Sequence, residues 1–112
     1  MFDQRMRHRA ITDESPVVFQ RATHKELGRV GNISSDGILL LCDEELGLHQ
    51  ILELEMALPR GIHGRSTVAF NAQVMWVQPV NNTGLTGCGL AYRRVSDEDM
   101  EIFEELIKDF VF

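Results

Sequence analysis

Apolar residues recur at every second position in short runs separated by glycine, proline, asparagine and acidic residues. This pattern limits the chain to a fold built mainly of β-strands. Across residues 50–58, Leu52, Leu54, Met56 and Leu58 face one way and Glu53 and Glu55 the other, which marks a half-buried strand. Residues 66–77 repeat the pattern and put Val68, Phe70, Ala72, Val74 and Trp76 on one face. Residues 38–42 form a continuous apolar run bounded by Gly37 and by Asp43, Glu44 and Glu45, as expected of a strand buried on both faces. Residues 16–22, 26–31 and 85–93 supply the remaining strands, and residues 59–64 and 79–84 read as turns.

The period changes after Ser96. Ser96 is placed to cap a helix whose first turn carries Asp97, Glu98 and Asp99. Met100, Phe103, Ile107 and Phe110 then recur at steps of three and four, with Leu106 beside them. Glu101, Glu104, Glu105 and Lys108 form the wet face. About six short strands followed by one amphipathic helix predict a barrel or sandwich against which the helix packs. The 112 residues fit a single domain.

Charge narrows the function. The chain carries a net charge of −6, against the basic surface that binding of a nucleic-acid polymer requires. Residues 1–31 nevertheless hold six basic and four acidic residues, whereas residues 32–112 hold five basic and thirteen acidic. A small basic region on an acidic body suits a compact anionic ligand better than a long polyanion. The longest apolar run, residues 38–42, is far short of a membrane span, so membrane insertion is not expected. Residues 1–9 have no apolar signal-peptide core, so the protein is expected in the cytoplasm, where Cys42 and Cys88 stay reduced and act as buried structural thiols.

Signals of catalysis are missing. There is no paired-cysteine metal spacing, no His-Glu-x-x-His, no Gly-x-Ser-x-Gly and no phosphate-loop lysine, so neither a catalytic nor a metal site is expected. His8, His24, His49 and His63 are scattered without ligand spacing and read as solvated or hairpin residues. The glycines at 84, 87 and 89 have no helix close behind them, and read as a turn followed by tightly packed backbone.

Two short segments remain. Arg5-Met6-Arg7-His8-Arg9 by itself is a solvated basic run. Asn32-Ile33-Ser34-Ser35-Asp36-Gly37 by itself is a polar turn between strands, with Gly37 supplying a positive φ. In this order, with about two strands between them, they resemble the PilZ domain family, which is marked by Arg-x-x-x-Arg and then Asp/Asn-x-Ser-x-x-Gly. Arg5 and Arg9 match the first motif, and Asn32, Ser34 and Gly37 the second. The resemblance continues through Val74-Met75-Trp76, through Gly87-Cys88-Gly89-Leu90-Ala91-Tyr92 and into the capped helix, so that it covers nearly the whole chain.

The resemblance implies an all-β dominated fold, a six-stranded antiparallel PilZ-type β-barrel with a C-terminal α-helix. Residues 1–14 would be a flexible ligand-binding arm, 15–95 the barrel and 96–111 the helix. It implies a non-catalytic bacterial receptor for cyclic di-GMP with no further cofactor. Arg5, Arg9, Asn32, Ser34 and Gly37 would contact the ligand, and Arg7 and His8 would be additional contacts. The ligand would order the arm, and the new surface would meet an effector protein or a second copy of the chain. An arginine fork suits guanine O6 and N7, or a phosphate, and its plane stacks on a base. Asn32 and Ser34 flank apolar Ile33, so on extended backbone both point away from the core. Alanine stands at position 91, where some relatives have a longer polar side chain. Two alternatives stand beside this reading. One is a ligand-independent interaction module in pilus or flagellar regulation, although such members usually lack the arginines. The other is a barrel of the oligonucleotide-binding type, which would need exposed aromatic platforms and a basic groove.

Overall fold

The computed structural model describes residues 15–109. Six strands, β1 (Val17–Gln20), β2 (Glu26–Ile33), β3 (Gly37–Cys42), β4 (Ile51–Ile62), β5 (Arg65–Pro79) and β6 (Thr86–Arg94), precede one helix, α1 (Asp97–Asp109). All neighbouring strands are antiparallel, and the sheet closes in the order β1-β2-β3-β6-β5-β4. The expected six-stranded antiparallel barrel with a C-terminal helix is therefore the fold. Among the described residues, closure gives every strand a neighbour on both sides.

Alternation decides which residues fill the barrel. Leu52, Leu54 and Met56 of β4, and Val68, Phe70, Ala72 and Val74 of β5, point inward and are buried, joined there by Ile38, Leu40 and Cys42 of β3. Cys42 and Cys88 are both unbridged inside the core. The hydrogen bond between them, together with burial, pushes the Cys42 thiol far above its usual range and keeps it protonated.

Three expectations are corrected. Residues 59–64 are not one long connection, because β4 runs to Ile62 and β5 starts at Arg65. His63 and Gly64, at φ 51° and 74°, make a two-residue turn of the kind that fits strand twist. Trp76 does not join the inward row. A bulge between Val74 and Trp76 inserts Met75 as an extra residue, so Met75 and Trp76 both emerge on the outer surface and Val77 returns to the core. Gly37 does not sit at positive φ; it is required because a Cβ there would collide with the carbonyl of Leu90. The histidine expectation holds at three turns, where His24, His49 and His63 are exposed and left-handed.

Helix α1 packs against β5 and β2. Its apolar stripe delivers Ile102, Phe103 and Leu106 to the core with no exposed surface. Phe103 meets Phe70 edge-on at 5.2 Å between ring centres, and Tyr92 at 4.9 Å. Ser96 caps as expected: its hydroxyl accepts the Asp99 N–H at 3.1 Å, and its carbonyl accepts the Met100 N–H at 2.8 Å. Arg65, next to the β4–β5 turn, holds Asp99 at 3.0 Å and ties that hairpin to the helix start. Replacing Phe103 with Ala should lower unfolding stability by about 3–5 kcal/mol through loss of transfer energy and the cavity left behind. Ser96→Ala should cost only about 1 kcal/mol. Urea unfolding of both variants checks the ordering, and a Phe103 variant no weaker than the cap variant would contradict the packing described.

Candidate ligand-binding face

On the outer surface, the turn between β2 and β3 lies beside β6 and, beyond it, β5. Asn32, Ser34, Asp36 and Gly37 there surround an open depression of about 300 Å³, completed by Met75, Trp76, Gly89 and Ala91. The structure thus brings together the three described residues of the second sequence motif. Arg5, Arg7, His8 and Arg9, and the proposed arm 1–14, lie outside the described residues.

Each side chain is held by its local structure. Ile33 is buried while Asn32 is half-buried and Ser34 exposed, the alternation expected from extended backbone. The Asn32 side-chain oxygen accepts the N–H of Ile33 at 2.8 Å, and its amide nitrogen is a donor. The Ser34 hydroxyl accepts the N–H groups of Asp36 at 3.2 Å and Gly37 at 3.3 Å, and the Ser34 N–H donates to the Gly37 carbonyl at 2.9 Å. Ser34 therefore shapes the turn in which it sits. Gly37 faces Ala91 in register and lets β3 start flush against β6.

Trp76, Met75, Gly89 and Asp36 were not singled out as site residues by the sequence. Trp76 faces Gly89 across β5 and β6, and a side chain on Gly89 would occupy the space of the indole five-membered ring. The indole thus covers bare backbone on one side and remains 44% exposed, an aromatic surface on which a base can stack. The signal for this was present only as a tryptophan on one strand and a glycine on another, and their pairing depends on the bulge.

The electrostatics are mixed. Among the described residues, Asp36 is the single charged side chain lining the depression. At its rim the Arg93 guanidinium donates to Gln73 Oε1 at 2.8 Å and approaches Met75 Sδ at 3.4 Å. Tyr92, packed against the core, ties to the turn from behind, its hydroxyl donating to the Ser34 carbonyl at 3.1 Å. Burial, and then the Asp36 charge, push the Tyr92 phenol well above its ordinary value, so it stays a donor at neutral pH. Such a face offers hydrogen-bond donors and acceptors and a stacking surface. Among the described residues, no group of three or more histidine, cysteine or acidic side chains is placed to hold a metal.

The chain is thus a small closed barrel plugged by a C-terminal helix, with a polar turn and an exposed tryptophan on its outer face. The PilZ domain family profile matches residues 3–112. The chain belongs to the PilZ family. Among solved structures it is similar to the Bacillus subtilis inhibitor of motility, MotI/DgrA, with a TM-score of 0.64 and 16% identity. The likeness covers 85% of this chain and 44% of that protein, so this chain spans less than half the length of its structural relative. Comparison with curated proteins finds no significant match. Among the described residues, no helix is long and apolar enough to cross a membrane.

Gly89→Ala tests the geometry of the face directly. Its Cβ must displace the indole of the sole tryptophan, so emission should shift and its quenching by iodide should rise, with the barrel still folded by circular dichroism. Unchanged emission would mean that Trp76 does not lie on Gly89.

Proposed function

We propose that this domain is a receptor for cyclic di-GMP, a ring of two guanosines joined by two phosphates. The observation that carries the reading is the meeting of Asn32, Ser34 and Gly37 with the exposed Trp76 in one open depression. One guanine would stack on the indole with its polar edge toward Asn32 and the turn at Ser34. Among the described residues, those lining the depression include one carboxylate and no basic side chain, with Arg93 beside Met75 at the rim, so a dianion seated there calls for further cations. Arg5 and Arg9 fit that need, being four residues apart and able to grip guanine and phosphate bidentately. Arg7 and His8 would add to the field. The ligand would draw this arm onto the barrel, and the resulting surface would engage an effector protein, or a second copy of the chain, in the cytoplasm. The domain would act by binding alone, without catalysis, cofactor or metal.

The competing reading is a protein-interaction module that needs no ligand. The observation favouring it is the carboxylate of Asp36 inside the depression, which opposes an anion. Calorimetric titration with cyclic di-GMP, and separately with single-stranded DNA, decides. Saturable binding of the dinucleotide alone is expected, and silence toward it would leave the interaction module. Arg5→Ala and Arg9→Ala should each weaken binding by about 1–3 kcal/mol, the scale of a bidentate arginine–guanine contact. A double variant that binds as tightly as the parent would overturn the arginine assignment.

Asn32→Asp gives a finer test. One carboxylate oxygen can keep the bond to the Ile33 N–H while the other accepts from guanine N1–H and N2–H, and such charge-assisted bonds are roughly twice as strong as neutral ones. The added charge repels the ligand at long range, but physiological salt screens that repulsion over about 8 Å. The variant should bind modestly tighter at physiological salt, with its advantage shrinking as salt is lowered. Weaker binding at both salt concentrations would assign Asn32 to the turn alone.

A further inference from the structure

Tyr92 belongs to two structures at once. Its ring lies on the inward side of β6, in register with Ala72, and meets Phe70 at 6.0 Å and Phe103 of α1 at 4.9 Å. Its polar atoms hold the ligand turn: the hydroxyl donates to the Ser34 carbonyl at 3.1 Å, and its backbone N–H donates to the Asp36 carbonyl at 3.2 Å. The turn that lines the depression therefore rests on the same side chain against which the helix packs. Phe103 is fully buried, so α1 cannot shift without disturbing the ring that supports Ser34.

We propose that Tyr92 is a positioning residue that couples occupation of the outer depression to the docking of α1 in the barrel, each stabilising the other. The inference rests on the cyclic di-GMP reading and extends it to the C-terminal helix as the element a partner reads. Ligand contacts at Ser34 and Gly37 favour one setting of the turn carbonyls. The Tyr92 hydroxyl favours the same setting, and its ring favours the docked helix. Linkage makes the effect reciprocal: whatever loosens α1 weakens the ligand by the same factor by which the ligand tightens α1. A buried tyrosine hydroxyl that merely satisfies its own polar atom would contribute to stability without linking ligand to helix.

The experiment compares the full chain with Tyr92→Phe, which removes the hydroxyl and keeps the ring. Calorimetry with cyclic di-GMP should show the variant binding about 3- to 10-fold more weakly, the loss expected of one hydrogen bond. Hydrogen exchange should show the ligand slowing the amides of α1 severalfold in the parent and much less in the variant. Phe103→Leu should weaken binding as well, whereas Glu104→Ala, on the exposed side of α1, should not. Equal affinity in parent and Tyr92→Phe, or helix exchange that ignores the ligand in the parent, overturns the coupling while leaving the receptor reading intact. A parent that binds no cyclic di-GMP removes both. Should Phe103→Leu fail to fold, the exchange comparison of parent with Tyr92→Phe decides alone.

Discussion

Strand β6 hydrogen-bonds to β3 along one side and to β5 along the other, although β4 and β5 separate it from β3 in the chain. That insertion brings the polar turn after β2 within reach of the tryptophan of β5, which lies 42 residues beyond Ser34 in sequence. It depends on bare backbone at two places. Gly37 lets β3 meet the Leu90 carbonyl, and Gly89 leaves room for the indole of Trp76. A side chain at either position would force the strands or the indole to move, and the outer depression would lose its shape. The glycines of this region thus serve close approach, while among the described glycines positive φ occurs at Gly64 and Gly84.

Two bulges, one in β5 and one in β6, set what the outer face displays. The one at Met75 reverses the phase of the strand, so an aromatic residue whose alternation pointed it into the core is delivered to the surface. The other, near Asn71, leaves Arg93 as the extra residue, and its guanidinium comes to rest over Gln73 and Met75. Bulges are a usual device for re-aiming side chains at functional faces. Here they place a stacking surface and a cation beside a turn that carries donors, acceptors and one carboxylate. This arrangement is polar and open on its own, and an arginine arm would complete its charge.

The inside and the outside of the barrel meet at Tyr92. The aromatic group of Phe70, Tyr92 and Phe103 belongs to the core, yet the phenol hydroxyl reaches the turn that shapes the outer face. Helix α1 is consequently more than a plug. Its apolar stripe stabilises the barrel, and the residue it leans on also holds Ser34. The cap at Ser96 and the ion pair from Arg65 to Asp99 fix where the helix begins, and so which of its residues face Tyr92.

The sequence by itself determined the number of strands, the inward rows of β4 and of β5 up to Val74, the capped helix, and the alternation that turns Asn32 and Ser34 outward while burying Ile33. Each of these follows from local periodicity or from a short capping pattern, which operates within a few residues of chain. The sequence also carried the two motifs, because a fixed spacing of arginines and of Asn-x-Ser-x-x-Gly is visible without coordinates. Only the tertiary structure decided that Trp76 is outside, that Gly37 is needed for proximity rather than for φ, and that the 59–64 segment is largely strand. It alone revealed that Tyr92 bridges helix and turn. The physical reason is the same in each case: strand register and bulges are fixed by hydrogen bonds between segments far apart in the chain, and a single inserted residue reverses every face that follows it.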